Sequence, residues 1–271
     1  MPGSGINDAR TNNRALSPRE VRLLADWERE RRRIVTIQDV AQRVGGAVAA
    51  KVAHRLVRKG VLQRLRRGSY LVRPFRSIGR ATQPSTAVSI ELLLGREPHY
   101  VGGLWAVSLH RFTEQRYASL LDVFVTHRLT ARRIGAARVR FHVLKTEAFQ
   151  RGITTVEIEG LEVRVSDPER TFLDALDHPR IFGGIAWALE IARKNLRRMD
   201  HKRLIQYAVA GSRTSTCRRL GVLLEREGAP RRTLAKLRAR AHAASTLLSL
   251  SPPTQRTGPI NRRWGVVEND R

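Results

Sequence analysis

The sequence has a single cysteine, Cys217, among its 271 residues. One thiol cannot form a disulfide within the chain, and it excludes a zinc or iron–sulfur site built from clustered cysteines. No histidine with an orienting partner accompanies Cys217, so a catalytic thiol is not indicated. We predict a small side chain that is buried or half-buried.

Long apolar runs are also missing. The longest, residues 101–109 and 183–189, fall far short of the roughly 20 residues that span a bilayer. Residues 1–14 are polar and have no apolar centre, which is unlike a secretory signal. The sequence therefore predicts neither a transmembrane helix nor a signal peptide, and we expect a cytoplasmic location.

Acidic residues are scarce. The chain has 24 Asp+Glu against 51 Lys+Arg, a formal net charge of +27. A polyanion is the expected partner, because each phosphate that is neutralised releases counterions. A GC-rich coding bias could explain why only six of these basic residues are lysines, but not their surplus over acids. The surplus lies in two blocks, with 19 basic against 6 acidic residues in 1–80 and 15 against 3 in 193–240.

The first 75 residues have the pattern of a winged helix-turn-helix. Ser17 followed by Pro18 and, three residues after the cap, Glu20 predicts a helix start with a capping box. An alternating pair of strands around a Gly-containing turn predicts a β-hairpin after the third helix. In a winged helix-turn-helix, the third of these helices enters the major groove. The predicted elements are helices over 17–32, 36–44 and 47–59 and strands over 61–65 and 69–72.

Basic residues lie on the predicted third helix and on the hairpin. Lys51, Arg55 and Arg58 have the spacing i, i+4, i+7 and therefore share one helix face. Arginine and lysine donate hydrogen bonds to guanine or bind phosphate. A solvated surface is the alternative for each residue, and a protein-docking module is the alternative for the whole unit. The candidate DNA-binding residues are Lys51, His54, Arg55, Arg58, Arg64, Arg66 and Arg67.

The rest of the chain predicts a mixed domain, so the expected fold class is α+β. Strand-like runs over 119–125, 138–144 and 156–165 precede a largely helical half after Gly184. No internal repeat is present. The predicted division is a winged helix-turn-helix over 15–75, a linker over 76–86, the α+β domain over 87–250, and an extended tail over 251–271.

No set of residues indicates catalysis. The Gly102-Gly103 pair lacks the context of a nucleotide-binding loop and favours a tight helix entry instead. Glu157, Glu159 and Glu162 could hold Mg²⁺ for nuclease chemistry, but no lysine supports them on the next strand. We interpret these glutamates as a solvated surface. The sequence predicts no catalytic residue, no metal site and no cofactor.

Seven short segments between residues 17 and 269 together resemble one family. In their order and spacing they are similar to AbiEi-type antitoxins, the antitoxin half of type IV abortive-infection toxin–antitoxin pairs. One departure is Arg111, where the family pattern has glycine after Leu-His. The segments are VTIQDVA (35–41), GSYLV (68–72), YVGG (100–103), SLHRFTEQ (108–115), SDPERTFLDAL (166–176), RRLG (218–221) and RW with EN (263–269).

The resemblance implies a two-domain repressor. Its first domain would bind double-stranded DNA at inverted repeats in its own promoter, and its second would counteract a nucleotidyltransferase-like toxin, often without a stable complex. We interpret the motif at 167–174 as structural: Asp167 caps a helix, Pro168 begins it, and Glu169 and Arg170 pair locally. Asp174 belongs to the same motif.

The expected function is that of a cytoplasmic, non-enzymatic transcriptional regulator of the antitoxin class. Two alternatives stay open on the sequence. One is a nucleic-acid-processing enzyme that the winged helix delivers to its substrate. The other is a ligand-sensing regulator without a toxin partner.

Overall fold

The computed structural model describes residues 16–73, 85–117, 120–134, 137–145, 149–159, 161–241, 246–251 and 258–270. The chain divides into two compact units, one ending at Leu93 and the other beginning at Leu94. Helices and β-strands occur in both units, so the predicted α+β class is confirmed. No helix in the described ranges has both the length and the apolar character needed to cross a bilayer.

The first unit contains three helices and a small antiparallel sheet in the order β1-β3-β2. The predicted capping box of Ser17 and Glu20 is present at the first helix, and a second one, of Thr36 and Asp39, begins the next helix. A further helix, α4, ends at the boundary between the units. The elements are α1 (Pro18–Arg29), β1 (Ile34–Thr36), α2 (Ile37–Val44), α3 (Gly46–Arg58), β2 (Leu62–Arg66), β3 (Ser69–Val72) and α4 (Thr86–Leu94).

The sequence did not predict β1. This strand has three residues, which are too few to show an alternating pattern, and it forms by pairing Val35 with Tyr70 of β3. The core of the unit lies between the helices and this sheet, with Leu24, Trp27 and Leu56 almost fully buried. Residues 74–84, which include most of the predicted linker over 76–86, lie outside the described residues.

The second unit is built around a six-stranded sheet in the order β6-β7-β5-β4-β9-β8. The pairs β5·β7 and β4·β9 are parallel and the others antiparallel. The predicted single run over 156–165 is wrong: β8 and β9 form a hairpin there, with Glu159 at φ 53° in the turn. The strands are β4 (His99–Gly102), β5 (Leu120–Val125), β6 (Arg132–Ile134), β7 (Ala137–Val143), β8 (Ile153–Ile158) and β9 (Leu161–Ser166).

Helices supply most of the core of the second unit. The Gly102-Gly103 pair leads directly from β4 into α5, as the sequence predicts. The helix after β9 is buried along nearly its whole length, including Phe172, and it packs against the next two helices. The helices are α5 (Gly103–Leu109), α6 (Pro168–Asp177), α7 (Ile185–Asn195), α8 (His201–Gly211), α9 (Thr214–Arg226) and α10 (Arg231–Ala241).

The prediction of an extended tail is wrong. Three short strands, β10 (Leu248–Ser249), β11 (Ile260–Asn261) and β12 (Val266–Val267), form a separate sheet. Trp264 is 2% exposed and packs on α9. The Nε atom of Arg218 donates to the Trp264 carbonyl at 2.7 Å. This segment folds because α9 supplies an apolar surface and side-chain donors that a local sequence pattern does not reveal.

Candidate nucleic-acid interface

The turn between α2 and α3 consists of one residue, Gly45. It ends α2 and begins α3 with φ at 89°, a conformation that side-chain-bearing residues rarely adopt. Its N–H donates to the Ala41 carbonyl at 2.8 Å. Because the link is so short, α2 sets the position and direction of α3.

Helix α3 has one apolar and one basic face. Ala49, Val52 and Leu56 are buried in the core of the first unit. The opposite face is exposed, as the spacing predicts, and carries the basic side chains. The exposed basic residues of this helix are Lys51, His54, Arg55 and Arg58.

One of these residues already has a protein partner. The Nε atom of Arg55 lies 2.6 Å from Oε1 of Glu20, and Nζ of Lys59 lies 2.6 Å from Oε2 of the same carboxylate. The Glu20 side chain is 2% exposed. Burial alone would raise the pKa of Glu20, but hydrogen bonds from Lys59, the Ser17 N–H and Arg55 outweigh burial and lower it to about 2. Arg55 therefore joins α3 to α1 as well as facing solvent.

Three other acids of the first unit, Asp26, Glu30 and Asp39, pair with arginines on α1, on α2 and in the segment between them. Arg43 contacts Asp26 at 3.0 Å and also contacts Glu30, and Arg32 contacts Asp39 at 2.5 Å. Within the described residues, Lys51, His54 and Arg58 form no ion pair. The centre of the exposed α3 face is therefore a positive surface that no acid in the described part of its unit neutralises.

The hairpin carries the remaining predicted residues. Arg64 and Arg67 are exposed and have no ion-pair partner in the described part of the unit. Arg66 belongs to β2, but its side chain lies outside the described residues. The carbonyl of Gly68 in the turn accepts from the Ile37 N–H at 2.8 Å. The hairpin turn is therefore attached to the start of α2.

In the second unit, the residues of the 167–174 motif make cap and side-chain contacts that hold α6 in place. The side chain of Asp167 accepts from the Arg170 N–H at 2.7 Å, and Pro168 occupies the first turn of α6, as predicted. The predicted pair between Glu169 and Arg170 is wrong, because adjacent residues on a helix do not face each other. Glu169 instead accepts from the Asp200 N–H at 2.9 Å.

Arg170 belongs to a buried network that sequence reasoning missed. Its Nε atom donates to Asp174 at 2.8 Å, and its Nη2 atom donates to the Tyr100 hydroxyl at 3.0 Å. The same hydroxyl donates to the other Asp174 oxygen at 2.9 Å. Burial raises the pKa of both Tyr100 and Asp174. Tyr100 lies 74 residues from Asp174, so no local pattern links them.

The glutamates weighed for nuclease chemistry lie at the edge of the six-stranded sheet. Glu157 and Glu162 are directly opposite each other in the β8–β9 ladder, and both are exposed. Among the described residues, no group of three or more His, Cys, Asp or Glu side chains is placed to hold a metal ion. Cys217 is fully buried, as predicted, and burial raises its pKa to about 12.

Comparisons with known proteins inform the fold. No family model matches the sequence, and no curated protein matches it. The crystal structure of the RV2827C protein from Mycobacterium tuberculosis is similar, with a TM-score of 0.69 and 16% sequence identity. The similarity covers 94% of this chain and 92% of that one. At this identity the similarity establishes a shared fold.

Proposed function

We propose that the chain is a DNA-binding transcriptional regulator whose first unit is a winged helix-turn-helix. Helix α3 would be the recognition helix, and the β2–β3 hairpin would be the wing. The one-residue turn at Gly45 and the attachment of the hairpin to α2 support this assignment. Both features hold the two candidate contact elements in a fixed relationship to α2.

The observation that carries the proposal is the positive centre of the α3 face. Lys51, His54 and Arg58 are exposed and unpaired within the described first unit, while acids pair with arginines elsewhere in it. A surface of this kind attracts phosphate, and its long side chains can reach base edges in the major groove. Arg55 is a positioning residue whose guanidinium also holds Glu20.

We also propose that the regulator acts as the antitoxin of a type IV pair. It would repress its own promoter, counteract a nucleotidyltransferase-like toxin without catalysis of its own, and work in the cytoplasm. The resemblance over residues 17–269 supports this proposal. At its one departure, Arg111 has φ at 56°, the conformation that suits the glycine of the family pattern.

A DNA-binding measurement tests the regulator. The full-length protein should bind a duplex from the region upstream of its own gene, and a variant carrying Lys51→Ala with Arg58→Ala should lose that binding. Arg29→Ala is the matched control, because Arg29 is 76% exposed on α1 and pairs with Asp26. Equal binding by the double variant and the wild type would overturn the assignment of α3.

Co-expression tests the antitoxin role. Where a nucleotidyltransferase-like gene adjoins this one, its product should arrest growth by itself, and co-expression of this chain should restore growth. The double variant at Lys51 and Arg58 should still restore growth when its expression is driven from an unrelated promoter. If growth stays arrested when the wild-type chain is co-expressed, the antitoxin proposal is wrong. The proposal of a DNA-binding regulator would be unaffected.

A further inference from the structure

The second unit contains an open cleft of about 1140 Å³. One side is formed by α5 and the segment that follows it, residues 110–117. The other side is formed by the end of α7 and the short 3-10 helix Leu196–Arg198. Pockets for single small molecules are usually about 300–1,000 Å³. The cleft is therefore large enough for an extended ligand.

Cationic side chains line both sides of the cleft. Arg111 and Arg116 lie on one side, and Lys194 and Arg198 lie on the other. Arg111, Arg116 and Arg198 are exposed and form no ion pair with any described residue. Lys194 has Glu190 at 2.8 Å on the exposed surface of α7. Four cations and one carboxylate, Glu114, line the cleft, which therefore favours a ligand with several negative charges.

Arg111 occupies a position where its backbone favours glycine. It follows the last turn of α5 with φ at 56°, and its N–H donates to the Ser108 carbonyl at 3.2 Å. Glycine is the usual residue at this point of a helix end, because it has no Cβ to strain. The chain nevertheless has an arginine there, and its side chain lines the cleft. The Arg111 side chain is therefore placed where a ligand in the cleft could contact it.

Two partly exposed aromatic rings also line the cleft. Trp105 on α5 and Tyr117 at the end of the following segment are both half-buried, so part of each ring faces solvent. The Tyr117 hydroxyl donates to Oε1 of Gln115 at 2.9 Å, which restrains the ring. Partly exposed aromatic rings among cationic groups are typical of surfaces that bind single-stranded nucleic acid, where bases stack and phosphates are neutralised.

The walls of the cleft are held in place by hydrogen bonds. Asn195 is 2% exposed, and its amide donates to the Ile191 carbonyl at 3.0 Å and to the Phe112 carbonyl at 3.5 Å. The Ser108 hydroxyl donates to the Gln115 carbonyl at 2.8 Å. These bonds attach the 110–117 segment to α7 and α5, so a ligand meets a preformed surface.

We propose that this cleft binds a short single-stranded segment of nucleic acid. Its bases stack on Trp105 and Tyr117, and its phosphates contact Arg111, Arg116 and Arg198. This site is separate from the α3 surface proposed to bind duplex DNA. It also gives a role to part of the second basic block, since Lys194 and Arg198 belong to residues 193–240.

Fluorescence anisotropy of the full-length protein tests the proposal. The probes are fluorescein-labelled oligo(U) and oligo(dT) of eight nucleotides, and the two arms distinguish RNA from DNA. Arg111→Gly is the most informative variant, because it removes the side chain and suits the backbone. It should weaken binding of at least one probe about tenfold or more without lowering the thermal stability of the protein.

Two further variants separate stacking from charge. Trp105→Leu should weaken binding about 5- to 150-fold, the range for loss of one base–aromatic stack. Arg198→Ala should weaken binding, whereas Arg197→Ala should not. Arg197 is the neighbouring residue, 85% exposed and paired with Glu227, and it does not line the cleft. Thermal unfolding of each variant checks that the fold is retained.

Three results would overturn the proposal. The first is wild-type affinity in both Arg111→Gly and Trp105→Leu. The second is absence of binding to either probe at low salt. The third is displacement of the labelled probe by poly-glutamate as effectively as by unlabelled oligonucleotide. That result would indicate that the cleft binds an acidic peptide. The Lys51→Ala, Arg58→Ala variant should bind the single-stranded probes normally. A failure of the duplex-binding proposal can therefore be distinguished from a failure of this one.

Discussion

The Nε atom of Arg55 lies 2.6 Å from Oε1 of Glu20, across 35 residues of sequence. Arg55, which helical spacing predicts to bind DNA, therefore also forms an ion pair within the protein. Lys59, four residues after Arg55, binds the other oxygen of the same carboxylate. Substitution of Arg55 alters both the surface of α3 and the attachment of α3 to α1. DNA binding and stability therefore have to be measured separately for this residue.

Glu20→Gln should destabilise the protein near neutral pH. The pKa of Glu20 falls from its ordinary 4.5 to about 2 in the folded state, which corresponds to roughly 3 kcal/mol. Because the folded-state pKa is lowered, this stabilisation is present above pH 4.5 and is lost as the pH falls from 4.5 towards 2. Urea unfolding at pH 7 and at pH 3.5 measures it.

The difference between wild type and Glu20→Gln should shrink between those two pH values. Glu157→Gln is a suitable control, because Glu157 is exposed on β8 and should leave stability nearly unchanged. A pH-independent difference would contradict the ion pair as the source of the stability.

Arg55→Ala and Lys51→Ala should affect the protein differently. Lys51 is exposed and has no ion-pair partner among the described residues, so its removal should weaken DNA binding with less than about 0.5 kcal/mol change in stability. Arg55→Ala should lower both the DNA affinity and the stability, because it removes one of the two cations that pair with a buried carboxylate. Removal of a side chain that neutralises one phosphate should reduce the slope of log K against log salt by about 0.9. A salt titration combined with chemical unfolding separates these effects.

Gly221→Ala should destabilise the second unit by about 1–3 kcal/mol. A Cβ atom at this position of α9 would lie 2.3 Å from the Trp264 ring, far inside van der Waals contact. Thermal unfolding measures the change. Gly46→Ala is the control, because no atom lies within 4 Å of its Cβ position and alanine favours the helix. A Gly221→Ala protein as stable as the wild type would mean that Trp264 can leave α9 at no cost.

Arg170→Met should cost about 3–5 kcal/mol, since it leaves the Asp174 carboxyl buried without its charged partner. Tyr100→Phe should cost less, about 1–3 kcal/mol, because it removes the hydroxyl that joins the other two groups. Chemical unfolding of both variants tests this order. Binding of promoter DNA at a temperature where both are folded should equal that of the wild type. If Tyr100→Phe were the more damaging change, the network would not be organised around Arg170.

Much of the first unit could be predicted because its signals are local. The caps at Ser17 and Thr36 are hydrogen bonds between residues three apart, and the faces of α3 follow from helical periodicity. The same reasoning failed at residues 156–165, where one alternating run contains a turn, and at β1, which is too short to show a pattern. It also missed the Asp200 partner of Glu169 and the Tyr100 partner of Arg170, because both of these partners come from other elements.

The sequence by itself determined the α+β class, the helix starts at Ser17, Thr36 and Asp167, and the basic face of α3. Each of these features depends on interactions between residues that are close in the sequence, so the local order of residues is enough to predict it. Tertiary structure alone decided that Arg55 meets Glu20 and that Trp264 covers Gly221. It also brought residues 105–117 opposite residues 194–198 to form the cleft. Those contacts join residues about 35 to 90 positions apart, and they arise when burial of apolar faces brings distant elements together.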